Sequence, residues 1–185
     1  MPSRFHRLAG DVFRILRGKV GVAASCFLVG NGWVSGAAVV AVVAGNGGEC
    51  GSAVEKQLGD SRGRAVVHCF AVGWLAGKGR LMLAEFARTG KDALASVVLM
   101  EGEHVLFGDY PATFRGDGDD LWRVDDGGLL SAEGFQVVLV ARRGERYAVG
   151  VSWAGTEGRS LVLFASGGGN VFQRVIEDYW YQAPE

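Results

Sequence analysis

The sequence predicts a mainly β domain, and three observations support this. Runs rich in valine, phenylalanine, leucine and tryptophan recur at intervals of roughly 8–12 residues, the spacing of short strands in a sandwich or barrel. Thirty glycines, with three prolines and no collagen-like period, indicate many tight turns. A 185-residue chain that is 49% apolar is also long enough to bury a proper core.

The apolar runs and the turn residues between them predict ten strands and two helices. Leu75–Gly79 and Arg142–Glu145 are rich in turn-forming residues and predict hairpins between neighbouring strands. Ser52, with Glu55 three residues later, predicts a helix over residues 50–58, and a second helix is expected over 171–181. Strands are expected at 20–29, 33–43, 64–74, 80–87, 96–101, 104–109, 120–124, 135–142, 146–153 and 160–165.

The start of the chain differs from the rest in charge. Residues 1–19 carry five lysines and arginines against one acid, as in a basic arm or an organellar presequence, which favours an intracellular, mitochondrial setting. Residues 20–48 carry no charge and are long enough to span a membrane. Gly30-Asn-Gly32 in their middle instead predicts a hairpin turn. We expect one β-rich domain over residues 20–185, with membrane contact through 20–45 as the alternative.

Composition argues against several classes of function. A net charge of -1 gives no electrostatic basis for binding nucleic acid. The three cysteines, Cys26, Cys50 and Cys69, are few and odd in number, which argues against a disulfide-built scaffold and favours a reducing compartment. No Cys-x-x-Cys spacing, His-x-x-x-His spacing or phosphate-binding loop occurs, so we expect neither a metal nor a cofactor.

Several segments resemble, in order along the chain, parts of the trypsin-like (chymotrypsin-fold) serine peptidases. Val149-Gly-Val-Ser-Trp153 resembles the strand that lines the substrate cleft in that family. Gly169-Asn-Val-Phe-Gln-Arg-Val175, followed by Tyr179-Trp180, resembles the segment that leads into the closing helix. Cys26–Val40 is similar to the hairpin that carries the catalytic histidine. The resemblance implies two packed barrels with a short C-terminal helix.

The resemblance also implies that the catalytic triad is degenerate. Val39 stands at the position of the histidine, Arg80 at that of the aspartate, and Ser131 lies near the nucleophile loop. Valine cannot accept a proton and arginine cannot orient an imidazole, so the triad mechanism has no base. The expected protein is therefore an inactive peptidase homologue that serves as a structural or protein-binding component of a larger assembly.

Two active hydrolases remain as alternatives. A serine peptidase could use His68, Asp120 and Ser166, although only nineteen residues follow Ser166, too few to complete a second barrel.

An α+β, papain-like hydrolase could instead use a cysteine. Cys50 would lie at a helix N-terminus, with His104 as its base and Asp125 or Asp126 to orient that base.

Overall fold

The computed structural model describes residues 38–76, 79–114, 130–155 and 158–181. They form ten strands, one α-helix and, at Ala132–Gly134, a short 3-10 helix. The elements are β1 (Ala38–Val39), β2 (Val42–Ala44), α1 (Ser52–Arg62), β3 (Val66–Leu75), β4 (Gly79–Thr89), β5 (Asp92–Glu101), β6 (His104–Thr113), β7 (Phe135–Arg143), β8 (Arg146–Ala154), β9 (Gly158–Gly168) and β10 (Val171–Tyr181).

All ten strands belong to one sheet, in the order β1-β7-β8-β9-β10-β6-β5-β4-β3-β2. Strands β3 to β6 form one antiparallel meander and β7 to β10 a second. The last strands of the two meanders, β6 and β10, are parallel neighbours.

The segment 38–44 links the outer strands of the two meanders, β7 and β3. β1 pairs with β7, and β2, which begins three residues after β1 ends, pairs with β3. The amide of Val40 donates to the Val140 carbonyl at 2.8 Å, and the amide of Ala76 donates to the Ala41 carbonyl at 3.1 Å. Because one continuous segment bonds to both β7 and β3, the sheet is a nearly closed barrel.

The barrel interior is filled by side chains from both meanders. Their inward positions alternate along each strand, as the two-residue period of a strand requires. Gly108 faces this core, where a Cβ atom would lie 2.9 Å from the Phe164 ring, so the position accepts only glycine without repacking. The largest fully buried members of the cluster are Tyr147, Phe164, Leu81, Leu83, Leu99, Leu106 and Val97.

Helix α1 covers the outer face of the first meander. It follows Gly51 and ends at Gly63, whose left-handed conformation (φ 63°) terminates the helix. Leu58 of α1 is fully buried in a second apolar cluster that includes Met82, Phe86 and Phe107. The helix therefore supplies the cover that the outer side chains of β3 to β6 require.

The mainly β class is confirmed, as are seven of the predicted strands, which correspond to β3 to β9. The predicted strand at 33–43 overlaps two short strands, β1 and β2, and the predicted helix at 50–58 corresponds to α1. The predicted strands 20–29 and 120–124, together with residues 1–19, lie outside the described residues.

The predicted C-terminal helix is wrong, because residues 171–181 form β10. This strand pairs with β9 from Val171 to Tyr181 across the turn at Gly169–Asn170. Its branched and aromatic side chains suit a strand, and the hairpin provides the backbone hydrogen bonds that a helix would have made internally. The finer division into two separate barrels is not confirmed, since the described strands all lie in one sheet.

Candidate functional site

The three degenerate triad positions make no contact with one another. Val39 lies on β1 with 76% of its surface exposed. Arg80 lies on β4, with its guanidinium 5.0 Å from the centre of the Trp74 ring. The hydroxyl of Ser131 accepts a hydrogen bond from the Glu133 amide at 3.2 Å and so caps the short 3-10 helix. None of the three therefore has a proton-transfer partner among the others.

The alternative serine constellation is not brought together either. His68 is exposed on β3 and stacks near Phe70, with ring centres 6.1 Å apart. Ser166 lies on β9, where its hydroxyl accepts a hydrogen bond from the Tyr147 amide at 2.8 Å. β3 and β9 are not neighbours in the sheet. Asp120 lies outside the described residues.

The cysteine constellation is replaced by a disulfide. Cys50 is bonded to Cys69 of β3, so its sulfur has no thiolate to act as a nucleophile in this state. His104 begins β6, whereas Cys69 aligns across the sheet with Asp109, five residues further along the same strand. Five residues of strand correspond to about 17 Å. Asp125 and Asp126 lie outside the described residues.

The disulfide corrects one expectation from composition. The small, odd number of cysteines argued against a disulfide-built scaffold and favoured a reducing compartment, yet Cys50 and Cys69, nineteen residues apart in sequence, form a disulfide. Cys69 is buried beneath α1, and the Cys50 amide also donates to the Cys69 carbonyl at 3.1 Å. The bond thus fastens the chain just before α1 to the middle of β3.

The structure does form a cleft, which opens where β6 and β10 separate. In the part of the chain that is described, these strands pair at one position only, Val171 with Phe107. A bulge at Val175, between Arg174 and Ile176, then changes the course of β10. The resulting cleft has a volume of about 700 Å³ and is lined by Asp109, Tyr110, Pro111, Trp153, Ser160, Arg174, Glu177 and Tyr179.

Arg174 spans the cleft at its narrow end. One of its guanidinium nitrogens, Nη2, donates to the main-chain carbonyl of Asp109 at 3.0 Å. The other, Nη1, pairs with the Glu177 carboxylate at 2.7 Å. The guanidinium also lies 4.9 Å from the centre of the Tyr110 ring, a distance typical of a cation–π contact. Arg174 therefore holds the two separating strands at a fixed spacing.

Tyr110 forms part of the cleft wall and is 7% exposed. Its ring meets those of Phe135, Trp153 and Phe164 edge to face, with centres 5.4 to 6.1 Å apart. Its hydroxyl has no hydrogen-bond partner, which is costly for a buried polar group. Burial raises the pKa of Tyr110 well above its usual value, so the hydroxyl stays neutral and can both donate and accept.

Behind the cleft, the Asp109 carboxylate fixes the position of β6 against α1. It accepts a hydrogen bond from the Ser96 hydroxyl at 2.7 Å and forms an ion pair with Arg62. Arg62 also lies over the Phe107 ring, 4.6 Å from its centre. Ser96 is fully buried, so this side of β6 is rigidly supported.

Beside the cleft, β10 presents an apolar ridge, which we define as Val175, Ile176, Tyr179 and Tyr181. Each of these side chains is between 41% and 57% exposed. Ile176 is an odd number of residues from Tyr179 and Tyr181 in a regularly paired stretch, so β10 exposes large apolar side chains on both of its faces, and such side chains mark contact sites for other molecules. The cleft and the ridge together are the candidate functional site.

The site combines aromatic rings, a paired arginine and carboxylate, and a buried hydroxyl. Apolar walls with a few placed polar groups are the usual lining of pockets that hold a ligand. No cluster of three or more metal-ligating side chains occurs in the described ranges. No helix within those ranges is both long and apolar enough to cross a membrane.

Comparison with known proteins adds no family to these observations. No family model, no curated protein and no solved structure matches this chain.

Sequence reasoning missed the cleft residues, although signals for some of them were present. Pro111 lies within a strand, and proline is tolerated there only at an edge or a bulge. That rule could have identified β6 as a strand with one unpaired side. Arg174 lay inside the segment that carried the peptidase resemblance, where it was not considered as a binding group.

Proposed function

We propose that this protein is a non-catalytic, protein-binding component of a larger assembly, and that its partner contacts the cleft and the apolar ridge. The observation that carries this proposal is the exposure of Val175, Ile176, Tyr179 and Tyr181 on a strand that borders an open cleft. A protein surface rarely leaves such a group of large apolar side chains in water without a partner to cover them.

The chemistry of the cleft supports the same proposal. Tyrosine, tryptophan and arginine are the residue types enriched at the energetic centres of protein interfaces. Tyr110, Trp153, Tyr179 and Arg174 bring these types together within one cleft. The ion pair between Arg174 and Glu177 lies at the rim, where it contributes more to specificity than to affinity.

The absence of catalysis is proposed from the residue types at the candidate positions. Valine at position 39 and arginine at position 80 offer no base and no orienting carboxylate for Ser131. The likeness to an inactive trypsin-like peptidase, including its two-barrel architecture, remains a prediction that rests on the segment resemblance. The intracellular, mitochondrial setting likewise rests on the basic residues of 1–19.

The proposal is tested by charge substitutions on the ridge with a matched control elsewhere. The double variant Val175→Lys, Ile176→Lys places two charges on the ridge. Val39→Lys, Val43→Lys makes the same change at two other exposed valines, on β1 and β2. Affinity-tagged wild type and variants are purified from the cells that produce the protein, and each co-purifying protein is quantified by mass spectrometry.

We expect a partner that the wild type and the control variant retain in equal amount and that the ridge variant loses by at least about tenfold. If the control variant lost the partner and the ridge variant kept it, the contact surface would lie elsewhere than on β10. The complete absence of a stoichiometric partner would contradict the proposal.

A further inference from the structure

We propose that the partner contributes an extended peptide segment, which adds to the unpaired edge of β6 as an extra strand within the cleft. This inference rests on the proposed function and specifies how the partner binds. It depends on three features: the backbone groups of β6 that face the cleft, the Arg174 side chain that replaces strand pairing at Asp109, and the hollow that lies beside this edge.

The backbone amide and carbonyl groups of β6 point alternately, residue by residue, towards its two neighbouring strands. The Phe107 amide donates to the Asn170 carbonyl at 3.0 Å, so residue 107 faces β10, whereas the Phe114 amide donates back to the Lys91 carbonyl beside β5. Since the direction alternates along a strand, Asp109, Pro111 and Thr113 also face away from β5. The described β10 does not pair with any of these three residues.

At Asp109, a side chain takes the place of the next strand. The Asp109 carbonyl accepts its hydrogen bond from the Arg174 guanidinium instead of from a β10 amide. The two backbones have therefore separated beyond direct pairing at this level. Further along, the Thr113 amide and the Pro111 and Thr113 carbonyls have no strand partner among the described residues and can bond to an added chain, while Pro111 itself has no amide hydrogen to offer.

One hollow lies along this edge, the cleft of about 700 Å³ that contains Tyr110. A second hollow of about 460 Å³ also touches Pro111, but its other lining residues include Asp92, Ala93 and Leu94 of β5. It therefore lies over the β5–β6 pair, and the first hollow is the one that a side chain of an added strand would enter.

The chemistry of this hollow defines the peptide. Its aromatic wall suits an apolar or aromatic side chain, and a polar atom on that side chain could satisfy the buried Tyr110 hydroxyl. Its charged groups are already paired, Arg174 with Glu177 and the Asp109 carboxylate with Arg62. This balance favours an uncharged polar backbone as ligand over an anion. Pro111 blocks part of the edge, which limits indiscriminate pairing.

The probe for this inference is a phage-displayed library of random nonapeptides, selected on the immobilised full-length protein. Two variants at one position separate backbone pairing from side-chain contact. Thr113→Pro removes the amide hydrogen that faces the cleft, whereas Thr113→Ala keeps it and removes only the side chain. Neither change disturbs the pairing with β5, because the Phe114 amide, and not that of Thr113, bonds to Lys91.

We expect the selected peptides to share a large apolar or aromatic residue at one position, the one that enters the cleft beside Tyr110. Thr113→Pro should weaken their binding about tenfold, in line with the loss of one hydrogen bond and its geometry, and Thr113→Ala should leave it nearly unchanged. Amide hydrogen exchange of Asp109 and Thr113 should slow by about a hundredfold or more when the selected peptide is added.

Equal binding to wild type and Thr113→Pro, unchanged exchange at both amides, or no peptide enrichment would each overturn strand addition. A homodimer in solution that already protects the two amides would assign the edge to a second copy of this chain and overturn it as well. The two proposals fail separately: a cell-derived partner that is lost from the ridge variant but kept by Thr113→Pro supports the proposed function and contradicts strand addition.

Discussion

At the scale of single residues, each candidate nucleophile makes a structural contact. The Ser131 hydroxyl caps a 3-10 helix, the Ser166 hydroxyl accepts from a backbone amide, and the Cys50 sulfur is in a disulfide. None of these side chains contacts one of the histidines considered as its base. A nucleophile without a base within hydrogen-bond distance has no means of activation.

This predicts that the protein does not react with serine-directed probes. Incubation with a fluorescent fluorophosphonate should give no labelling of the wild type, and the variants Ser131→Ala and Ser166→Ala should be indistinguishable from it. In-gel fluorescence against an active serine peptidase of known concentration is the measurement. Stoichiometric labelling that one of these variants abolishes would show that the protein is an active hydrolase.

A second residue-scale prediction concerns Tyr147, which lies in the core with its hydroxyl bonded to Glu101. Burial, together with the hydrogen bond and the negative charge of Glu101, raises the pKa of Tyr147 to about 12. The folded protein then keeps this proton at a pH where the unfolded chain, with a pKa of about 10, has lost it. The resulting stabilisation is complete below about pH 10 and is lost as the pH rises towards about 12.

The free energy of unfolding should therefore decrease between about pH 9 and about pH 11.5, and it should decrease less in Tyr147→Phe, which has no phenol to ionise. Urea denaturation at the two pH values, followed by tryptophan fluorescence, gives the comparison. An equal decrease in both proteins would mean that Tyr147 ionises normally in the folded state.

At the scale of elements, the disulfide links the loop before α1 to β3 and so supports the cover of the first meander. Cys50 and Cys69 enclose a loop of about twenty residues, and closing such a loop in the unfolded chain stabilises the fold by about 3 kcal/mol. We predict a loss of about this size in the double variant Cys50→Ala, Cys69→Ala. The measurement is urea denaturation with and without reductant.

Cys26→Ser is the matched control for this experiment, since it removes the cysteine that is not in the disulfide. It should keep the sensitivity to reductant that the double variant lacks. If reductant lowered the stability of the double variant as much as that of the wild type, the Cys50–Cys69 bond would not be the stabilising link.

The elements also show how far the sequence could predict the fold. Alternating apolar runs with glycine-rich turns predicted β3 to β9 because each depends on local pattern and hairpin chemistry. β10 was misassigned because the resemblance of this segment to trypsin-like peptidases implied a closing helix there. Pairing with β9 makes this segment a strand, and the Gly169–Asn170 turn was the local signal for that pairing.

The candidate site was less predictable than the strands because it depends on contacts between distant parts of the chain. The cleft exists only because β10 lies beside β6, more than sixty residues away in sequence, and then separates from it. The pairing of Cys50 with Cys69 is likewise fixed by the position of α1 on the sheet. Neither the contact between β6 and β10 nor the pairing of the two cysteines can be read from composition or from residue spacing.

At the scale of the whole barrel, one continuous sheet accounts for both its stability and its proposed binding surface. Segment 38–44 closes the barrel between β7 and β3, while the boundary between β6 and β10 is paired at one position and otherwise open within the described residues. Asp109 and its contacts with Ser96 and Arg62 support that open boundary from behind. A rigid support for an unpaired strand edge is the arrangement that strand addition requires.

The central claim, that β6 has an open edge in the free protein, is tested most directly by amide hydrogen exchange resolved for individual residues. We predict an alternating pattern on β6: slow exchange at Phe107, Gly108, Tyr110 and Ala112, whose amides have partners, and fast exchange at Asp109 and Thr113. Uniformly slow exchange from Phe107 through Thr113 would show that the strand is paired on both sides, and would contradict the account.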